Sequence, residues 1–349
     1  MSGNKKRKLN IQRVLLVGLP LLILVCILGS VLALFLWNNR NDLPDYENDP
    51  TVVKPDPDDH VTVLPASLFH PETDDGVTTI LVFGNDSYYE GVNDGTSVTD
   101  LIPDAIDKYI ADNPDEEIDV PNYEIINCCL PGSTLVAQNT ASAGPEVCPE
   151  DYFTVFWLCI STKFNDFNTQ REALKYLDSS KYDVPLYSSV IDTLESVDLS
   201  KIDLILFCYD GHDYLNGALG QKDPLNEDTM NDVTTVFGAV YDSVFVLTDG
   251  FPDIQYVFVS PAFCYAFDEK GKKQDCTIYD TGNGNISKTL NSAKGVMDVA
   301  GISYMDFIVG VDINEANGDK YLKDDGITPN LEGRKMMAYR LVELLIYRL

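Results

Sequence analysis

Ser87 is the first residue of this chain whose setting suggests chemistry. It closes Gly84-Asn85-Asp86-Ser87, directly after the apolar run Thr79-Ile80-Leu81-Val82-Phe83. A polar cluster at the carboxyl end of a buried strand is where open α/β sheets place ligands. A serine hydroxyl becomes a nucleophile only when a neighbouring base takes its proton. The chain has three histidines, His60, His70 and His212. Only His212 stands in a comparable place, in Tyr209-Asp210-Gly211-His212-Asp213 after a second apolar run, with Asp210 or Asp213 available to orient its ring. The plain alternatives are a turn serine and a loop histidine that only packs or hydrogen-bonds at the surface.

These loops need a scaffold that brings them together. Strand patterns fall at about 78–83, 123–128, 203–208, 255–260 and 303–307. Helical patterns fall between them, at about 98–113, 151–165, 169–177, 185–197, 230–247 and 286–300, and a last one follows at 331–347. Strands alternating with helices predict a three-layer α/β/α sandwich with a central parallel sheet, flavodoxin-like in layout. Right-handed crossovers then gather the strand ends on one edge. Four polar loops meet there: Gly84–Gly91, Pro131–Thr134, Tyr209–Asn216 and Asp325–Asn330.

The four loops resemble the four sequence blocks of the SGNH/GDSL hydrolase family, over about residues 77–349. Asn85-Asp86-Ser87-Tyr88-Tyr89-Glu90-Gly91 is similar to the block that carries the nucleophile, and Ser87 takes that role. A second register, starting at Gly84-Asn85, puts Asp86 there instead. Gly132 matches the family glycine whose N–H helps bind the oxyanion, although a tight turn after Pro131 explains it as well. Asp210-Gly211-His212-Asp213 matches the third block, with His212 where the family has asparagine. Asp325-Gly326-Ile327-Thr328 matches the last block, with Asp325 kept and Thr328 where the family has its histidine base. Threonine cannot accept that proton; its simpler role is a helix cap or turn. The resemblance implies an esterase or acyl transferase in which His212 substitutes as base, Gly132 and the Ser87 N–H bind the oxyanion, and Asp325 is vestigial. The alternative is a catalytically dead binding or assembly module.

The ends of the chain predict where it works. Residues 1–13 form a basic tail, and 14–37 are 24 residues without a charge, long enough to span a bilayer. Residues 38–71 are a Pro- and Asp-rich linker, and 72–349 form the domain. Basic residues stay in the cytoplasm, so the domain is expected outside, tethered to the membrane and facing an envelope glycan or acyl ester. The chain carries −30 overall; residues 1–40 hold six Lys/Arg and no acid, so the remainder carries −36. Such a surface excludes nucleic acid as a partner. No Cys/His zinc spacing occurs, so no metal or cofactor is expected. Cys264 with Cys276, and Cys128 or Cys129 with Cys148, could form disulfides in an exported domain.

Overall fold

The computed structural model describes residues 61–62, 76–115, 118–139, 143–220 and 230–347. The strands are β1 (Val61–Thr62), β2 (Thr78–Gly84), β3 (Tyr123–Asn127), β4 (Leu204–Cys208), β5 (Gln255–Val259), β6 (Tyr265–Phe267), β7 (Lys273–Asp275) and β8 (Ser303–Met305). The helices are α1 (Asp86–Tyr89), α2 (Ile102–Asp112), α3 (Val155–Phe164), α4 (Asn168–Ala173), α5 (Val184–Ser196), α6 (His212–Leu215), α7 (Val236–Thr248), α8 (Ile286–Ala300), α9 (Phe307–Gly310), α10 (Gly318–Tyr321) and α11 (Leu331–Tyr347).

Six strands make one sheet in the order β1-β8-β5-β4-β2-β3. From β8 to β3 every pairing is parallel, and β1 adds an antiparallel edge. The central strands β4 and β5 are buried at every residue. A parallel strand covered on both faces needs such an unbroken apolar run. Helices α3, α7 and α8 pack in succession, and α11 packs on α2. This is the expected α/β architecture. Counting only the parallel strands in chain order, the sheet reads 2-1-3-4-5. Chain direction across this sheet reverses beside its first strand, β2, and such a switch point opens a crevice at the strand ends. Gly84 pairs with Cys208 there, so the loops after β2 and β4 leave the sheet side by side.

Several boundaries move. The helix predicted from Met230 begins at Val236, because Thr235 caps it by accepting the Gly238 N–H (3.1 Å). The one predicted over 169–177 is regular only over Asn168–Ala173. The segment 151–165 starts as a 3-10 turn, Pro149–Phe153, before α3. The β6–β7 hairpin was not predicted. Val61–Thr62 pairs with β8 inside the stretch predicted as linker. The basic tail and the anchor predicted over 14–37 lie outside the described residues. Among the described residues no helix is long and apolar enough to cross a membrane.

The disulfide expectation is corrected: the seven cysteines from Cys128 to Cys276 are free thiols. Cys264 and Cys276 are neighbours, with the Cys264 N–H on the Cys276 sulfur at 3.4 Å. Cys148 accepts instead from the Asn139 amide.

Candidate active site

Gly84 ends β2 where nothing larger fits. A Cβ there would sit 2.4 Å from the Cys208 carbonyl oxygen and 2.8 Å from the Cys129 sulfur. The chain then turns through Asn85, which is fully buried. Its amide donates to Asp210 Oδ1 (2.9 Å) and to the Ser133 carbonyl (3.2 Å), and its Oδ1 accepts the Asp210 N–H (3.0 Å). Asn85 thereby ties together the loops after β2, β3 and β4, so the crevice is held by buried polar bonds.

Asp210 is the hub. Its carboxylate accepts five donors: the Asn85 amide, the Ser87 N–H (3.3 Å), the Ser87 hydroxyl (2.9 Å), the His212 N–H (3.1 Å) and the His212 Nδ1–H (2.7 Å). Burial works to raise its pKa, but the His212 bonds and charge and the Ser87 bond outweigh it, and the net shift is downward. Asp210 is therefore ionised beneath the site.

This arrangement changes the reading of Ser87. The residue is 2 % exposed, and its hydroxyl proton goes to Asp210. Among the described residues no hydrogen bond joins Ser87 to His212. The side chain that faces outward is Asp86, half-buried. Its Oδ2 accepts the Gly132 N–H at 2.8 Å. Gly132 holds that N–H in place from a left-handed turn, φ 84°, which favours glycine. Burial and then the Asp210 charge raise the Asp86 pKa, with Gly132 and His212 drawing it partly back.

His212 begins the one-turn helix α6, its side chain about one-third exposed. Nδ1 is bound to Asp210, and among the described residues Nε2 makes no hydrogen bond. Burial would lower its pKa, but the Asp210 bond and the charges of Asp210, Asp86 and Asp213 lift it to about 9. This shift favours the protonated ring, which donates its Nδ1–H to Asp210. Asp213 does not hydrogen-bond to it. Its carboxylate accepts the Leu135 and Val136 N–H groups (2.9 and 3.0 Å) and clamps the loop after β3. Burial pushes Asp213 up to about 6.

The last block is held elsewhere. Asp325 Oδ1 accepts the Ile327 and Thr328 N–H groups, both at 2.9 Å, in a tight local turn. Thr328 is 7 % exposed. It does not cap α11; Asn330 does, accepting from Glu332 and Gly333. Among the described residues neither Asp325 nor Thr328 hydrogen-bonds to Asp86, Ser87 or His212. The loop joins the rest through Lys323 on Glu90 (2.5 Å) and through buried Arg334, whose guanidinium donates to the Thr96 carbonyl, the Thr96 hydroxyl and the Pro329 carbonyl. Asn85 and Arg334 did not stand out in the sequence as site-building residues.

Asp86, Asp210 and His212 bring their ligating atoms within 4.8 Å of one another. A carboxylate has about four lone-pair sites, and Asp210 already serves five donors. A cation would have to break those bonds, so the donor set does not favour a metal.

No family model matches the chain, and no curated protein matches it. Solved structures do resemble it in shape. One, of a possible lipase from Chitinophaga pinensis, is 14% identical, covers 76% of this chain and 96% of its own, and has a TM-score of 0.42. A lipase/acylhydrolase from Enterococcus faecalis is 12% identical over 78% of this chain and 96% of its own, TM-score 0.38. The periplasmic domain of a Salmonella ser. Paratyphi A lipopolysaccharide acetyltransferase is 11% identical over 78% and 85%, TM-score 0.38. At these values the likeness bears on neither activity nor substrate.

Proposed function

We propose that this domain hydrolyses a C–O bond with Asp86 and the Asp210–His212 pair as its working groups, and that Ser87 is part of the scaffold. One observation carries the reading. At the switch point of the sheet, an outward carboxylate, the His212 ring and a fixed backbone N–H converge. Asp86 can take a proton or attack, and His212 can give a proton to the leaving oxygen. The acidic domain is held outside the membrane by the 14–37 segment and works on an envelope glycan or an ester that it carries.

A second reading, binding without turnover, is favoured by a single feature. The Gly132 N–H that would bind a substrate oxyanion already holds Asp86. An acyl substrate needs that donor in its transition state.

Turnover by the full-length chain in detergent separates the two. The reading expects hydrolysis within a panel of p-nitrophenyl esters and glycosides, reduced at least about a hundredfold by His212→Gln. No hydrolysis of any member, by wild type or variant, leaves only the binding module.

A further inference from the structure

A cavity that shares no residue with the switch-point crevice lies between α2, α9, α10 and α11. Its volume is about 450 Å³, within the roughly 300–1,000 Å³ that small-ligand pockets occupy. The lengths of the helices explain why it stays open. α2 and α11 meet through Tyr109 and Tyr339, whose ring centroids are 5.6 Å apart. α9 and α10 have four residues each, against 17 in α11. At ~1.5 Å rise per residue, each spans about 6 Å of a flank about 26 Å long. Gly310 keeps α9 close to α11, because a Cβ there would stand 2.8 Å from the Arg340 Nε.

The wall combines two kinds of group. Tyr321, Met336 and Tyr339 line it with apolar surface and are only partly buried. Lys108, Lys320, Lys335 and Arg340 reach it from three different helices, beside three carboxylates. Four cations against three acids is unlike the chain as a whole, where acids outnumber Lys and Arg 55 to 25.

Three of the cations already face an acid. Lys108 pairs with Asp112, Lys335 with Glu332 (2.8 Å) and Arg340 with Glu343. Lys320 differs. Its Nζ lies over the Tyr321 ring, 4.5 Å from the centroid, and donates to the Tyr321 hydroxyl at 2.8 Å. Among the described residues it pairs with no carboxylate. An anion that reaches Lys320 gains a charge-assisted hydrogen bond without breaking an ion pair.

From the size of the cavity, its partly apolar wall and the position of Lys320, we infer that it binds a small amphipathic carboxylate. The apolar body of the ligand lies against Tyr321, Met336 and Tyr339, and its carboxylate is on Lys320. This site is separate from the hydrolysis proposed above and stands or falls without it.

The test is a ligand-observed NMR titration of the full-length chain in phosphatidylcholine nanodiscs, with empty discs as the blank. The probes are 3-phenylpropionate and its neutral counterpart, 3-phenylpropanamide. The expected result is millimolar binding of the carboxylate and binding of the amide at least about fivefold weaker. Lys320→Gln changes an exposed side chain; it should weaken the carboxylate about fivefold and leave the amide within about twofold. Tyr339→Ala removes part of the apolar wall and should weaken both probes at least about threefold. The inference is overturned if the carboxylate gives no signal beyond the blank, if the two probes bind equally, or if Lys320→Gln binds both as wild type does.

Discussion

Two regions of this molecule carry polar, aspartate-rich loops, and the fold treats them differently. The loops after β2 and β4 meet at the switch point, where Asn85 and Asp210 interlock and leave Asp86 and His212 facing outward. In the loop before α11 the exposed Asp325 closes the Ile327–Thr328 turn by accepting its two N–H groups. One region spends its polar groups on a site, and the other spends them on a turn and a helix cap.

The sharpest way to break the comparison is at its hub. Asp210→Asn removes the one carboxylate that, among the described residues, hydrogen-bonds to His212. It should abolish turnover and cost about 3–5 kcal/mol of stability, as loss of one partner from a buried charged pair does. Denaturant unfolding beside an activity assay checks both parts. An unchanged midpoint would mean that the five-donor hub is not what holds the crevice.

Next comes pH. Turnover needs Asp86 ionised and His212 protonated, so the rate should rise through a carboxylate pKa above the ordinary 3.8 and fall through about 9. Stability follows with a definite sign. The folded His212 value lies above the ordinary 6.5, so its contribution is complete below about pH 6.5 and is lost as pH rises through about 9. A rate that climbs with pH through 6–7 to a plateau at 9–10 would instead mark a histidine base.

Asn85→Ala leaves buried Asp210 and Ser133 groups without their partner. The expected loss is about 1–3 kcal/mol in chemical denaturation. The smallest effect belongs to the other region. Thr328→His should change kcat/KM less than about threefold, because among the described residues Thr328 shares no hydrogen bond with the site. A large gain there would return the last block to the mechanism.

Much of this was legible in the residues. Apolar runs ending in Gly84 and Cys208 fixed the strands, and their alternation with helices gave the parallel sheet. That convergence of loops pointed to Asp86, Gly132 and His212 as neighbours. The roles were harder to read. Whether Asp86 or Ser87 faces outward depends on how one residue register leaves β2, and only the Asn85–Asp210 bonds decide it. His212 looked like a base because its type suggests one; the three carboxylates that raise its pKa are brought around it only by the fold. Thr328 looked like a cap because it precedes a helix, yet Asn330, two residues on, has the cap geometry. The β6–β7 hairpin and the start of α7 turn on local caps and short pairings that carry little periodic signal.

The central claim is that the working group after β2 is Asp86 and not its neighbour. It is tested most directly by measuring kcat/KM for Asp86→Asn beside Ser87→Ala, in the full-length chain and on the same substrate. The account predicts a loss of at least about a thousandfold for Asp86→Asn and less than about tenfold for Ser87→Ala. The reverse order, with Ser87→Ala inactive and Asp86→Asn close to wild type, would contradict it.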